Sequence, residues 1–136
     1  MVTYSMLYIA PDVFYYWLVD DETYGDRATE IIQSIEKKTK AITSVLTLIE
    51  LDRKFRGQTN YTFTELLNRI VALKYLKLMK IEPDLFEEAQ QAMNLYNLTI
   101  ENGIHFATAN NAKTKSFFTN DTSFENTPLS VTSLSK

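Results

Sequence analysis

Met6-Leu7-Tyr8-Ile9-Ala10-Pro11-Asp12-Val13 is the stretch on which the reading of the fold turns. Its apolar residues, Met6 to Ile9, form one continuous run. Such a run fits a strand buried on both faces, as parallel sheets require. Proline fixes φ near the helical value, so Pro11-Asp12 predicts a turn and a helix start. The apolar Val13-Phe14-Tyr15-Tyr16-Trp17-Leu18 then continues the helix.

Outward from that segment, strands and helices alternate. Ala28, Ile31, Ile32 and Ile35 recur at helical spacing with charged residues between them. The short stretch from Lys40 to Thr43 carries Ile42 and predicts a second strand. Ser44 is placed to cap the next helix, with Thr47 and Glu50 one and two turns along it. Phe63, Leu66, Leu67, Ile70 and Val71 mark another amphipathic helix. Leu76 to Ile81 alternates apolar with basic residues and predicts a third strand, whose Lys77 and Lys80, with Lys74 before it, suit a soluble sheet edge. A helix is expected from Pro83, with proline in its first turn, and a further one from about Ile100 to Asn110. Ser116 to Phe118 predicts a fourth strand and Leu129 to Leu134 a short fifth. The tail from about Asn120, rich in Ser, Thr and Asn, is expected to be partly loose. This alternation predicts one α/β domain over residues 1–136, with a central, mainly parallel sheet of four to five strands flanked by helices.

Composition narrows the function classes. The 136 residues suffice for one real core. The net charge of −3 gives no global attraction to nucleic acid, although a local lysine cluster or a metal can still hold it. The chain has no cysteine, which excludes disulfides and thiolate metal sites and is compatible with a reducing cytoplasm. No apolar stretch approaches the ~20 residues of a membrane span, and no basic segment precedes the first apolar run, so neither a membrane protein nor a signal peptide is expected. A glycine-rich phosphate loop is missing. With one histidine no serine or cysteine nucleophile constellation can be built.

In parallel sheets, ligands bind beyond the carboxyl ends of the strands. Asp12 follows the first predicted strand and Asp121 the fourth, so both are candidates for one site. Glu50 is a lone acid inside the apolar Val45-Leu46-Thr47-Leu48-Ile49. It points either into a cleft or into solvent, and its helical neighbours Ser44, Thr47 and Leu51 favour the cleft. On residue chemistry alone Asp121 is a turn acid and Asp12 a helix cap. His105 on an apolar helix is expected to be a satisfied core residue. Arg53, Lys54 and Arg56 follow Glu50 as a basic group, either a solvated face or contacts to an RNA backbone. Four consecutive aromatics, Phe14 to Trp17, cannot all face inward on a helix, so a homodimer or partner interface is expected to use some of them.

The order and spacing of four pieces resemble the PIN domain family, the metal-dependent ribonuclease fold used by many prokaryotic toxins. They are Tyr8-Ile9-Ala10-Pro11-Asp12-Val13-Phe14, Thr43-Ser44-Val45-Leu46-Thr47-Leu48-Ile49-Glu50, His105-Phe106-Ala107-Thr108-Ala109 and Thr119-Asn120-Asp121. The resemblance covers nearly the whole chain. It implies four acids around a magnesium or manganese ion, of which Glu50 and Asp121 fill two. Ala10 and Asn102 stand at the other two. Gly103 stands where a small alanine is expected, a departure in keeping with natural degeneration. Two carboxylates make a weaker electrostatic trap than four. Asn102 offers only a neutral oxygen, and Ala10 offers none. Asp12 is a possible helper. If residues 10 to 12 are extended, the two positions share a face roughly 6–7 Å apart, so Asp12 could assist through water. Glu101 is a further candidate that more naturally faces solvent.

The resemblance thus implies a PIN-like domain with a degraded metal site, impaired in catalysis and acting as an RNA- or protein-interaction module. The alternative is an active Mg- or Mn-dependent ribonuclease of the toxin–antitoxin type, with Glu50, Asp121 and Asp12 catalytic. A homodimer and an antitoxin-type protein partner are implied for either.

Overall fold

The computed structural model describes residues 6–135. The elements run β1 (Leu7–Ile9), α1 (Pro11–Val19), α2 (Gly25–Lys37), β2 (Ala41–Ser44), α3 (Leu46–Phe55), α4 (Phe63–Val71), β3 (Leu76–Met79), α5 (Leu85–Tyr96), α6 (Ile100–Asn111), β4 (Ser116–Phe118) and β5 (Val131–Thr132). A single 3-10 turn, Thr122–Asn126, joins the last two strands. The sheet order is β3-β2-β1-β4-β5. Every pairing in it is parallel, with Tyr8 opposite both Ile42 and Phe117.

Successive strand residues face opposite sides of a sheet, and β1 divides the core accordingly. Ile9 joins Val13, Phe14, Ile31, Ile32, Ile35, Leu51 and Ile70 on one side. Tyr8 and Ala10 join Ile42, Phe106, Ala109, Phe117 and Phe124 on the other. Helices α1 to α4 therefore cover one face, and α5 and α6 the other. β1 lies mid-sheet, which is why its run is apolar on both faces. β3 forms one edge and exposes Lys77.

Local chemistry sets the helix ends. Pro11 occupies the first turn of α1, and Asp20 closes it in the left-handed conformation at φ 52°. Thr62 caps α4 and Thr99 caps α6, each hydroxyl accepting an N–H three residues on. Ser44 serves α3 from one position earlier than a formal cap: its hydroxyl accepts Leu46 N–H at 3.0 Å. Pro83 stands before α5 rather than in its first turn. Residues 82–84 form a tight turn in which Leu85 N–H bonds Glu82 O at 2.9 Å. The tail, expected to be partly loose, contributes β5 and the buried Leu134. Among the described residues no helix is long and apolar enough to cross a membrane.

Gly103 has a packing reason. A Cβ built there would lie 2.8 Å from the Ala89 carbonyl oxygen on α5 and 3.2 Å from Met93 Cγ. Glycine lets the two helix backbones approach. Alanine would gain ~1 kcal/mol of helix propensity but incur an overpacking cost of ~1–3 kcal/mol against an immobile carbonyl. Gly103→Ala should therefore lower unfolding free energy by about 1 kcal/mol in urea denaturation. A midpoint at or above the parent's would mean that α5 and α6 part freely.

Candidate functional site

The order of the strands reverses at β1: the chain steps outward to β2 and β3, then crosses back to β4. Such switch points leave a crevice beyond the strand ends. A cleft of about 200 Å³ lies there, lined by Ala10, Pro11, Asp12, Glu50, Lys54, Asn102, His105, Thr119, Asp121 and Phe124. Segments more than a hundred residues apart thus meet at one mouth.

Glu50 and Asp121 both line this cleft. Each is already held by protein donors. Glu50 Oε1 lies 2.5 Å from His105 Nε2. Asp121 Oδ1 accepts Ser123 N–H at 2.9 Å, and its Oδ2 accepts the Asn102 side-chain amide at 3.1 Å. Asn102 thus acts here as a donor rather than an oxygen ligand. Ala10 contributes only its backbone and a methyl group to the wall.

Asp12 does not cap a helix through its side chain. Ala10 is extended but Pro11 already starts α1, so positions 10 and 12 do not share a strand face. The Asp12 carboxylate instead reaches the loop just after β4, accepting Asn120 N–H at 2.8 Å and the Thr119 hydroxyl at 3.1 Å. Thr119 Oγ1 in turn accepts Asp121 N–H at 3.0 Å. Asp12 therefore fixes the loop that carries Asp121.

His105 is buried, as its apolar helix predicts, at 1% exposure. It also touches the cleft, which residue chemistry alone missed. Asn102 and His105 sit three apart on α6 and so share a helical face; that spacing was the available signal. Behind His105, its Nδ1 meets the Tyr8 hydroxyl at 2.6 Å, and that oxygen accepts Ser44 N–H at 3.1 Å. Tyr8 itself stacks on Phe117 with ring centroids 4.7 Å apart.

The basic group divides. Lys54 lines the cleft, its Nζ 4.4 Å from the centre of the Tyr15 ring. Arg53 lies 3.9 Å from Glu101 across the rim, which gives Glu101 a cationic partner outside the cleft. Arg56 turns away to Asp52 at 2.5 Å, and Tyr61 donates to the same carboxylate.

Burial raises the Asp12 carboxyl above the ordinary aspartate range, and the donors Asn120 and Thr119 offset this only in part. Burial opposes ionisation of Asp121 too. There the hydrogen bonds from Ser123 and Asn102, with His105 nearby, outweigh it and hold the carboxyl below the ordinary range. Burial drives the Tyr8 phenol far above its usual range, so it keeps its proton.

Divalent magnesium or manganese needs several hard oxygen ligands with free lone pairs. Among the described residues no three His, Asp or Glu side chains gather around one point. Glu50 Oε2 stays open to an ion, while each oxygen of Asp121 already accepts a protein donor, and Ala10 and the Asn102 amide add no anionic ligand. The donor set present does not fit a tightly held divalent ion.

The sequence model of the family described as the PIN domain matches residues 12–129. No match is found among curated proteins. Among solved structures, a toxin–antitoxin complex from Klebsiella pneumoniae is 16% identical, with 96% of this chain and 98% of that chain covered and a TM-score of 0.71. VapC20 of Mycobacterium tuberculosis, a toxin that cleaves the sarcin–ricin loop, is 13% identical, with 90% and 95% covered and a TM-score of 0.75. FitAcB from Neisseria gonorrhoeae is 18% identical, with 93% and 96% covered and a TM-score of 0.66. At these identities the likeness is one of fold.

The two aspartates should titrate with opposite effects on stability. Asp121, held low, stabilises the fold above the ordinary aspartate value near 3.9, and that share is lost as pH falls through its depressed value. Asp12, held high, favours the fold at low pH and loses that share as pH rises through its raised value. Asp121→Asn should flatten the fall in urea midpoint as pH drops below the ordinary aspartate value, whereas Asp12→Asn should steepen the acid-side fall. Parallel shifts for both variants would contradict the assignment.

Proposed function

This chain belongs to the PIN domain family, and from that premise we propose that it is a toxin-type PIN fold retained as a binding module, its divalent-metal site degraded and its nuclease chemistry impaired. One observation carries the reading. Each carboxylate that lines the cleft is bonded to a protein donor, and the positions beside them are Ala10 and the amide of Asn102. Catalysis by a set of groups acting together falls far more than proportionally when members are lost.

A protein partner of antitoxin type suits the surface better than RNA does. The chain carries a net charge of −3, Arg56 is paired with Asp52, and Arg53 faces Glu101. Lys54 is the remaining cation of that group at the cleft. An apolar groove lined by Leu18, Phe55, Tyr61 and Leu66, with Glu65 and Arg69 beside them, runs along α1, α3 and α4. Exposed apolar side chains on α5, Phe86 and Leu95, favour self-association. We assign the protein to the cytoplasm, where a cysteine-free chain is at home.

A second reading draws on the same cleft. Glu50 and Asp121 do share it, which supports an Mg- or Mn-dependent ribonuclease with Asp12 assisting. Calorimetry separates the two. The present chain should show no Mn²⁺ binding at millimolar concentration and no metal-dependent RNA cleavage. Restoring Ala10→Asp and Asn102→Asp should create Mn²⁺ binding at least ~10-fold tighter, about 1.4 kcal/mol. Mn²⁺ binding and RNA cleavage by the unaltered chain, both abolished by Glu50→Gln, would establish the enzyme instead. No binding even in the restored chain would mean that the site has been misplaced.

A further inference from the structure

β3 ends the sheet, and among the described residues no strand lies along its outer edge. A parallel ladder draws its bonds from alternate residues of a strand. Ala41 N–H donates to Tyr75 O at 3.0 Å and Val45 N–H to Met79 O at 3.0 Å, so Tyr75, Lys77 and Met79 turn their backbone groups towards β2. Leu76 and Leu78 turn theirs outward. Leu76 N–H closes a turn onto Leu73 O at 3.1 Å. The Leu76 carbonyl and both backbone groups of Leu78 thus face out, at the spacing an added strand needs. Side chains alternate too. Leu76 and Leu78 pack with the α1–α4 layer, whereas Met79 packs with the α5–α6 layer. Lys77 therefore shares the side of Met79, where it is exposed.

A pocket of about 230 Å³ opens at the end of β3. Met79, Leu85 and Ala112 give it apolar walls, and Glu82 and Asp84, both exposed, add negative charge. None of its lining residues lines the cleft. We propose that the β3 edge binds an extended segment of a partner protein, with an acidic residue beside Lys77 and an arginine or lysine two positions away beside Met79. Residues two apart on an added strand share a face, so they meet Lys77 and Met79 in turn. A carboxylate pairs with the lysine. The long cationic side chain lays its apolar stem on Met79 and Leu85 and carries its charge to Glu82 and Asp84. A second copy of β3 is a poor occupant. Lys74, Lys77 and Lys80 are all exposed along this strand, and two such edges repel each other. The surface stands apart from the question of whether the cleft holds a metal or cuts RNA.

Hydrogen exchange and peptide titration on the ¹⁵N-labelled full chain test it. In the free chain Leu78 N–H should exchange at least ~10-fold faster than Met79 N–H, which faces β2. Two capped heptapeptides serve as probes, Thr-Val-Glu-Val-Arg-Val-Thr for a parallel strand and Thr-Val-Arg-Val-Glu-Val-Thr for an antiparallel one. One of them should bind with a Kd of about 1 mM or tighter and slow the exchange of Leu78 N–H. Lys77→Glu and Asp84→Lys, both at exposed positions, should each weaken that binding at least ~3-fold while leaving the urea midpoint unchanged. Strong protection of Leu78 N–H in the free chain would mean that the edge is already covered and would overturn the proposal. So would binding by neither peptide at millimolar concentration, binding that both charge changes leave unaltered, or shifts confined to the groove around Leu66. Mn²⁺ titration reads the cleft alone, so its outcome leaves this edge untouched.

Discussion

The backbone hydrogen bonds that β1 makes to β2 on one edge and to β4 on the other are the constraint from which the cleft follows. Because all three strands run the same way, their carboxyl ends open at one mouth. The period of two then assigns each residue of β1 to a side. Ile9 goes to the α1–α4 layer, while Tyr8 and Ala10 go to the α5–α6 layer. A slip of one residue would exchange the two sets. Tyr8 would lose His105, and Ala10 would leave the cleft wall.

Polar groups inside such a core are tolerated only when satisfied. This molecule meets that condition with two sets of bonds, except at Asn120 Nδ2, the one buried polar side-chain atom among the described residues without a partner. One joins Asp12, Thr119, Asn120 and Asp121 at the end of β4. The other joins Ser44, Tyr8, His105 and Glu50 across β1, β2, α3 and α6. Asn102 adds a third tie by bonding Asp121 from α6. The acids are thus held in place by protein donors from several elements.

The architecture was largely legible from one-dimensional patterning. A continuous apolar run marked β1, and Ala28-Ile31-Ile32-Ile35 marked a helix face, because burial imposes those patterns directly. Boundaries were less so: the strand expected through Ile81 ends at Met79, and the helix expected from Pro83 starts at Leu85, where a tight turn competes with helical geometry. Glu50 and Asp121 could be paired only through order and spacing. The donors that hold them were not legible, since Tyr8 and His105 lie 97 positions apart and nothing in local chemistry announces their meeting. Arg56, grouped in sequence with Arg53 and Lys54, has its partner in Asp52 one turn back.

Asn120 gathers two otherwise separate parts of the chain. Its backbone N–H is held by Asp12, while its side-chain oxygen accepts the N–H of Leu134 and the hydroxyl of Ser133. One residue therefore couples the wall of the cleft to the far end of the polypeptide. Together with the β4–β5 pairing, in which Thr119 N–H bonds Thr132 O at 3.1 Å, and the burial of Leu134, this makes the segment after β5 a brace for the wall of the cavity.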